Sequence, residues 1–223
     1  MLFGKRVNLL VRVTQIKIPM HAVIVANGKF PEHPKPLGLI HKAKILLCCD
    51  GSIEHLVKLG ITPTAIVGDL DSVSPELKER FKDILFHDPN QNSNDLTKAV
   101  GWCAQRSISS INIVGATGNR EDHTVGNIGL LVRYAKMGLQ VEMVTDTGTI
   151  KPLLKSAKLT SFPGQQISIF SPVNQTTITT NNLRYPIDNG RIPEWWMGTL
   201  NESLGSWFEL DFSPGPLIVY QMY

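Results

Sequence analysis

From residue 21 to about 147, short and nearly continuous apolar runs alternate with longer stretches of helical period. His21–Ala26, Ala43–Cys49, Ala65–Val67, Ile84–His87, Ile111–Val114 and Val141–Val144 are the apolar runs. Those without polar alternation, His21–Ala26 and Ala43–Cys49, suit strands buried on both faces. Between them, a helix from about Ser52 to Leu59 stops at Gly60, with Pro63 beyond it, as helix ends commonly do. Ser74-Pro75 opens another with proline at its first position. Two more helices are predicted near 95–106 and 122–137. Strand and helix in alternation imply right-handed crossovers and a parallel sheet with helices on both sides.

After about residue 150 the helical period disappears. Gln166–Phe170, Thr176–Thr180, Trp207–Leu210 and Leu217–Tyr220 are short alternating runs, separated by Pro163-Gly164, Asp188-Asn189-Gly190 and Pro214-Gly215. Such a pattern predicts a small antiparallel sandwich or barrel. The expected fold class is therefore α/β, a parallel-sheet catalytic domain over 20–147 followed by a smaller all-β sandwich over 148–223. The boundary falls in Thr145–Thr149.

Composition narrows the classes. With 223 residues, 42% hydrophobic and 18% charged, the chain can bury a full core. A net charge of +3, with no stripe of Lys and Arg, argues against a nucleic-acid partner. No apolar run approaches the roughly 20 residues of a membrane span. Cys48 and Cys49 are adjacent on a predicted strand; they point to opposite faces and cannot share a metal. With Cys103 they read as core thiols of a reducing compartment, and a cytoplasmic protein is expected. Residues 1–19 carry Lys5, Arg6, Arg12 and Lys17 and no acid. Their apolar stretch is too short for a secretory signal. They are read as an N-terminal extension ahead of Met20, itself a plausible start.

The chemistry sits where strands hand over to helices. Asp50, Asp69, Asp71, Asp95 and Asp122 lie at four such points, and ligands of open parallel sheets bind outside the carboxyl ends of the strands. Five acids there would repel one another unless divalent cations or Lys and Arg offset them. In an extended chain Asp69 and Asp71 project to the same side; with Asp95 they form a candidate Mg²⁺ site, since Mg²⁺ takes one or two carboxylates plus substrate phosphates. Asp95 and Lys98 share a helix face, so Lys98 could reach a phosphate oxygen. In the loop 115–123, Gly115 and Gly118 permit close backbone approach and Arg120 offers bidentate phosphate recognition. Asp122 and His123 begin the next helix. No Walker loop occurs.

These segments resemble the thiamine pyrophosphokinase (thiamine diphosphokinase) family. That family carries an Asp-Gly turn, a Gly-Asp-x-Asp-Ser motif, an acidic motif ending in Asp-x-x-Lys and a Gly-rich loop ending in Arg-x-Asp-His. Here they correspond to Asp50-Gly51, Gly68–Ser72, Gln91–Lys98 and Gly115–His123, in the same order. Asn92, Asn94 and Asn119 depart from the usual residues. The resemblance implies ATP as co-substrate, Mg²⁺ as cofactor, a homodimer, and thiamine as acceptor. It also implies that Asp50, Asp69, Asp71, Asp95 and Asp122 serve catalysis, with Gln91, Lys98, Gly115, Gly118, Arg120 and His123 at the nucleotide. Tyr185, Thr199 and Asn201 would contact thiamine, although Leu200 replaces a hydroxyl residue. Trp195 and Trp196 are candidate stacking groups for a cationic ring. Asp50 or Asp122 could orient the attacking hydroxyl. Rival readings of the same acids are a diphosphokinase for another hydroxymethyl heterocycle such as a pterin, a metal-dependent phosphohydrolase, and a nucleotide-binding regulatory module.

Overall fold

The computed structural model describes residues 20–223; the N-terminal extension expected over 1–19 lies outside them. β1 (Met20–Val25), β2 (Leu46–Cys49), β3 (Ala65–Gly68), β4 (Leu85–His87), β5 (Ile108–Val114) and β6 (Gln140–Val144) form a parallel sheet in the order β6-β5-β1-β2-β3-β4. Helices α1 (Pro34–Lys42), α2 (Ile53–Lys58), α3 (Pro75–Arg80), α4 (Asp95–Gln105) and α5 (Glu121–Lys136) make the crossovers. The order reverses between β1 and β5, so the loops after these two strands border the crevice where ligands of such sheets bind.

The two-residue period of the strands sorts the core into two layers. Ala22, Ile24, Leu47, Cys49, Ala65 and Val67 join Leu96, Val100 and Leu131 of α4 and α5 on one face. Val23, Val25, Leu46, Cys48 and Ile66 join Ile40, Ile53 and Leu56 of α1 and α2 on the other. Cys48 and Cys49 thus do lie on opposite faces. Burial pushes the Cys48 and Cys103 thiols up to about 12, leaving them inert packing groups.

The change of pattern near residue 148 is a change of strand direction. β7 (Gly148–Leu153) returns antiparallel to β6 through a tight turn in which Thr145 Oγ1 accepts from the Gly148 N–H at 3.1 Å. β13 (Leu217–Met222), β9 (Gln166–Phe170) and β11 (Asn201–Glu202) continue the same sheet beyond β7, to ten strands in all. β8 (Ala157–Thr160), β10 (Thr177–Asn181) and β12 (Trp207–Ser213) form a separate three-stranded sheet. It closes over Ile167, Ile169, Leu217 and Val219 to make a sandwich core with Phe208 and Leu210. The second half is therefore a sandwich, as expected, but one of its two sheets is the extension of the first domain's sheet.

Candidate active site

Asp50 follows β2 in a left-handed conformation (φ 43°) that turns its carboxylate over the end of β3. Gly68 keeps this place open: a Cβ there would stand 3.1 Å from Asp50 Cβ and 3.2 Å from the Asp95 carboxylate. Asp69 and Asp71 do converge, though not by way of an extended strand. Leu70 between them has φ 63°, so the segment is a turn. One carboxylate oxygen from each of Asp50, Asp69 and Asp71 lies within 4.8 Å of the others. The Asp71 N–H donates to Asp69 Oδ1 (3.4 Å), Ser72 Oγ to Asp71 Oδ1 (2.9 Å), and the Ser72 N–H to Asp50 Oδ2 (3.3 Å). Asp50 is buried, and its Oδ1 has no hydrogen-bond partner.

Environment separates these acids. Burial raises the Asp50 pKa, and the neighbouring acids Asp71 and Asp95 add to it. The Asp71 backbone N–H and the Gln91 amide, which donates to Asp69 Oδ2 at 3.3 Å, hold Asp69 below the usual carboxylate range.

Asp95 and Lys98 share a face of α4 and pair at 3.0 Å, but Lys98 does not face the cleft. Its side chain is 2% exposed, behind the acids, and also lies 4.0 Å from Asp69. Burial opposes its charge, yet the hydrogen bond and charge of Asp95, with Asp69, outweigh that and raise its pKa. Lys98, expected at a phosphate, pairs here with two carboxylates. Asn94, where the motif usually has threonine, caps α4 through Oδ1 to the Thr97 N–H (2.9 Å). Its Nδ2 donates to Asn127 on α5 (3.2 Å), and Asn127 donates to the Ala116 carbonyl (3.0 Å).

The loop after β5 forms the opposite wall. Gly115 (φ 63°) and Gly118 (φ 80°) adopt the left-handed turns that their type allows. Arg120 and His123 line the same cleft as Asp50, Asp69, Asp71 and Asp95, a space of about 360 Å³. Asp122 does not join these acids. The Arg120 guanidinium forks onto its carboxylate at 3.1 and 2.5 Å, which holds Asp122 down to about 2. Of the two candidates for orienting a hydroxyl, Asp50 is therefore the one in the cleft.

Sequence reasoning passed over Asn27 and Gly28, which line the cleft after β1. Gly28 lies against the Gly-rich loop: its N–H donates to the Gly115 carbonyl (2.7 Å), and a Cβ would fall 2.6 Å from that oxygen. An Asn-Gly pair directly after a buried strand was the available signal.

Tyr185, Thr199 and Asn201 lie far from this cleft, near β11. Asn201 is buried with its amide bonded to backbone: Oδ1 accepts from the Tyr185 and Glu202 N–H groups (3.1 and 2.8 Å), and Nδ2 donates to the Tyr185 carbonyl (2.8 Å). Thr199 Oγ1 donates to the Trp196 carbonyl (2.7 Å). These two residues hold a loop whose exposed face carries Tyr185, Trp196 and Leu200.

Two family descriptions match the chain in tandem: thiamin pyrophosphokinase, catalytic domain, over residues 37–143, and thiamin pyrophosphokinase, substrate-binding domain, over residues 148–220. The chain belongs to the thiamin pyrophosphokinase family. Among its relatives, thiamine pyrophosphokinase 1 of Oryza sativa subsp. japonica is 28% identical, aligning 76% of this chain with 74% of that one. Thiamine pyrophosphokinase of Bacillus subtilis is 24% identical over 88% and 95% of the two chains. The crystal structure of thiamine pyrophosphokinase from Bacillus subtilis has the same fold, with a TM-score of 0.78 at 23% identity over 91% of this chain and 98% of that one. Thiamin pyrophosphokinase from Candida albicans also has it, at 0.76 and 18% identity over 92% and 89%.

Proposed function

We propose that this enzyme makes thiamine diphosphate from thiamine and ATP, releasing AMP. The observation that carries the reading is the tandem match to the family's catalytic and substrate-binding domains. The hydroxyethyl oxygen of thiamine forms a bond to the β-phosphorus, the bond from that phosphorus to the α,β-bridging oxygen breaks, and AMP departs with the bridging oxygen. Transfers of this kind depend on positioning and charge neutralisation more than on covalent chemistry.

Asp50, Asp69 and Asp71 fit a hard divalent cation, with Asp50 in the place expected of Asp95, which pairs with Lys98. Three converging carboxylates, one with a buried oxygen that no protein donor satisfies, are the oxygen donor set that Mg²⁺ prefers. Bound there, Mg²⁺ would screen the phosphate charge and favour the departing oxyanion. Lys98 holds Asp95 and Asp69 in place. Arg120 and His123, on the opposite wall, face the phosphates, and Gly115 and Gly118 let the chain approach them closely. Asp50 orients the attacking hydroxyl.

The span of the sheet supports a homodimer. β11, beside Tyr185 and Asn201, is eight strand positions from β3, beside Asp69, or roughly 38 Å at about 4.8 Å per strand. No thiamine molecule bridges that distance, so the Tyr185–Asn201 surface of one copy would meet the acids of another. Residues 20–147 then act as the nucleotide half and 148–223 as the thiamine-presenting half. The buried free cysteines suit a reducing cytoplasm, and no helix among the described residues is long and apolar enough to cross a membrane. The direct test incubates purified protein with ATP, Mg²⁺ and thiamine, a pterin alcohol or no acceptor, and quantifies AMP and thiamine diphosphate. AMP and thiamine diphosphate in equal amounts are expected with thiamine alone; phosphate release without acceptor would overturn the reading.

A further inference from the structure

A separate pocket backs onto the acids. It lies at the end of the sheet, between β4 and α4, with a volume of about 530 Å³. Phe86, His87 and Asp88 form its strand side; Lys98, Trp102 and Arg106, spaced one helical turn apart, form the other. None of these residues lines the acidic cleft. Lys98 alone links the two spaces, through its pairing with Asp95 and Asp69.

Unspent hydrogen-bond donors sit in this wall. The Lys98 side chain is 2% exposed and its ammonium has three donors, yet among the described residues it makes one hydrogen bond, to Asp95 at 3.0 Å. Trp102 Nε1 is a buried donor with no partner at all. Buried donors left unpaired are costly. Between these two residues, Gly101 has open space where a Cβ would stand, although glycine weakens a helix relative to alanine. The Arg106 guanidinium stacks 3.8 Å from the Trp102 ring centroid and donates to the Trp102 carbonyl (3.2 Å). Against these two cations stands one acid, Asp88, whose Oδ1 accepts from the Asn90 N–H (3.0 Å). An aromatic wall with a few convergent donors suits a small flat molecule bearing an acceptor group. We propose that this pocket is an effector site for a small aromatic carboxylate: its ring packs on Phe86 and Trp102, its carboxylate accepts from Lys98 and Trp102 Nε1, and it thereby draws Lys98 away from Asp95 and Asp69. Occupancy of the pocket is then coupled to the arrangement of the acids on the other side of Lys98.

The test titrates benzoate into the full chain by calorimetry, with no nucleotide and no thiamine, beside its uncharged amide, benzamide. Benzoate is expected to bind with a dissociation constant on the order of 1 mM or tighter, and benzamide at least tenfold more weakly. Gly101→Leu fills the open space over α4 and touches none of the acids; it should weaken benzoate at least tenfold and keep basal turnover. Trp102→Phe keeps an aromatic ring, removes the donor and should cost a severalfold loss. No benzoate binding, equal binding of benzamide, or equal binding to Gly101→Leu would overturn the site. If Gly101→Leu fails to fold, Trp102→Phe decides by the same comparison. Saturating benzoate should also lower turnover severalfold in the unmodified chain and leave Gly101→Leu unaffected; benzoate that binds without changing turnover would overturn the coupling. Because the titration contains no substrate, a failure of thiamine diphosphate synthesis would leave its result standing, so the two readings fail separately.

Discussion

Like charges held together by a ligand's requirements, not by packing, can be removed without loss of core contacts. Asp71 is such a residue: it is exposed, and it accepts only from its neighbour Ser72. Asp71→Asn should keep the melting temperature, or raise it slightly, while turnover falls by a hundredfold or more, on the order of one lost transition-state contact in a preorganised site. AMP formation at a near-normal rate would remove Asp71 from the cation site. Arg120 makes a different case. Its guanidinium is exposed on Asp122, so no fold energy depends on it. Arg120→Ala should raise the KM for ATP roughly tenfold with any acceptor, the scale of one hydrogen bond to a charged group. Steady-state kinetics with ATP varied at saturating thiamine would check this.

At the scale of elements, much of the fold was legible because burial on both faces leaves its mark as continuous apolar runs. β1, β2 and β3 carried that mark, whereas β4 is only half-buried and β5 and β6 alternate with polar residues such as Asn112 and Glu142. α1 did not: Pro34, Pro36 and Gly38 fall within nine residues, which resembles a loop. The prolines are tolerated because the first turn of a helix has N–H groups without intrahelical partners. β7 was hidden by Pro152. β6 pairs with β7 only as far as Ile150, so one edge of β7 is free where the proline sits. In the site, positions were legible and partnerships were not. The acids announced themselves by following strands, but that Lys98 would be buried behind them depends on how α4 packs on β3. The same holds for Asn201. The pattern marks it as a polar residue in the β half, and only the fold reveals that its amide clasps Tyr185. Asn201→Ala should therefore act as a loop lesion, costing about 2 kcal/mol through unsatisfied buried groups. It should raise the KM for thiamine and leave that for ATP unchanged. Denaturant unfolding combined with kinetics for both substrates would test it, and a variant of normal stability with impaired ATP use would contradict the assignment.

For the whole molecule, the sheet that joins the two halves also keeps them apart. The acids sit near one end of ten strands and the Tyr185–Asn201 loop at the other. A rigid continuous sheet has no hinge that folds one end onto the other; in the homodimer proposed above, the loop of one copy would meet the acids of the other, and a symmetric pair would give two equivalent sites. Two differently damaged chains should then repair each other. Asp71→Asn spoils the acidic half and leaves the loop intact; Tyr185→Ala, an exposed position with little stake in folding, spoils the loop and leaves the acids intact. Each variant alone should be nearly inactive. Mixed in equal amounts and allowed to exchange, about half the dimers become hybrids with one undamaged site of two, so activity should recover to about a quarter of the unmodified level. Size-exclusion chromatography with light scattering should give twice the chain mass under the same conditions. A monomer that is fully active, or a mixture that stays inactive despite proven subunit exchange, would mean that each chain completes its own site.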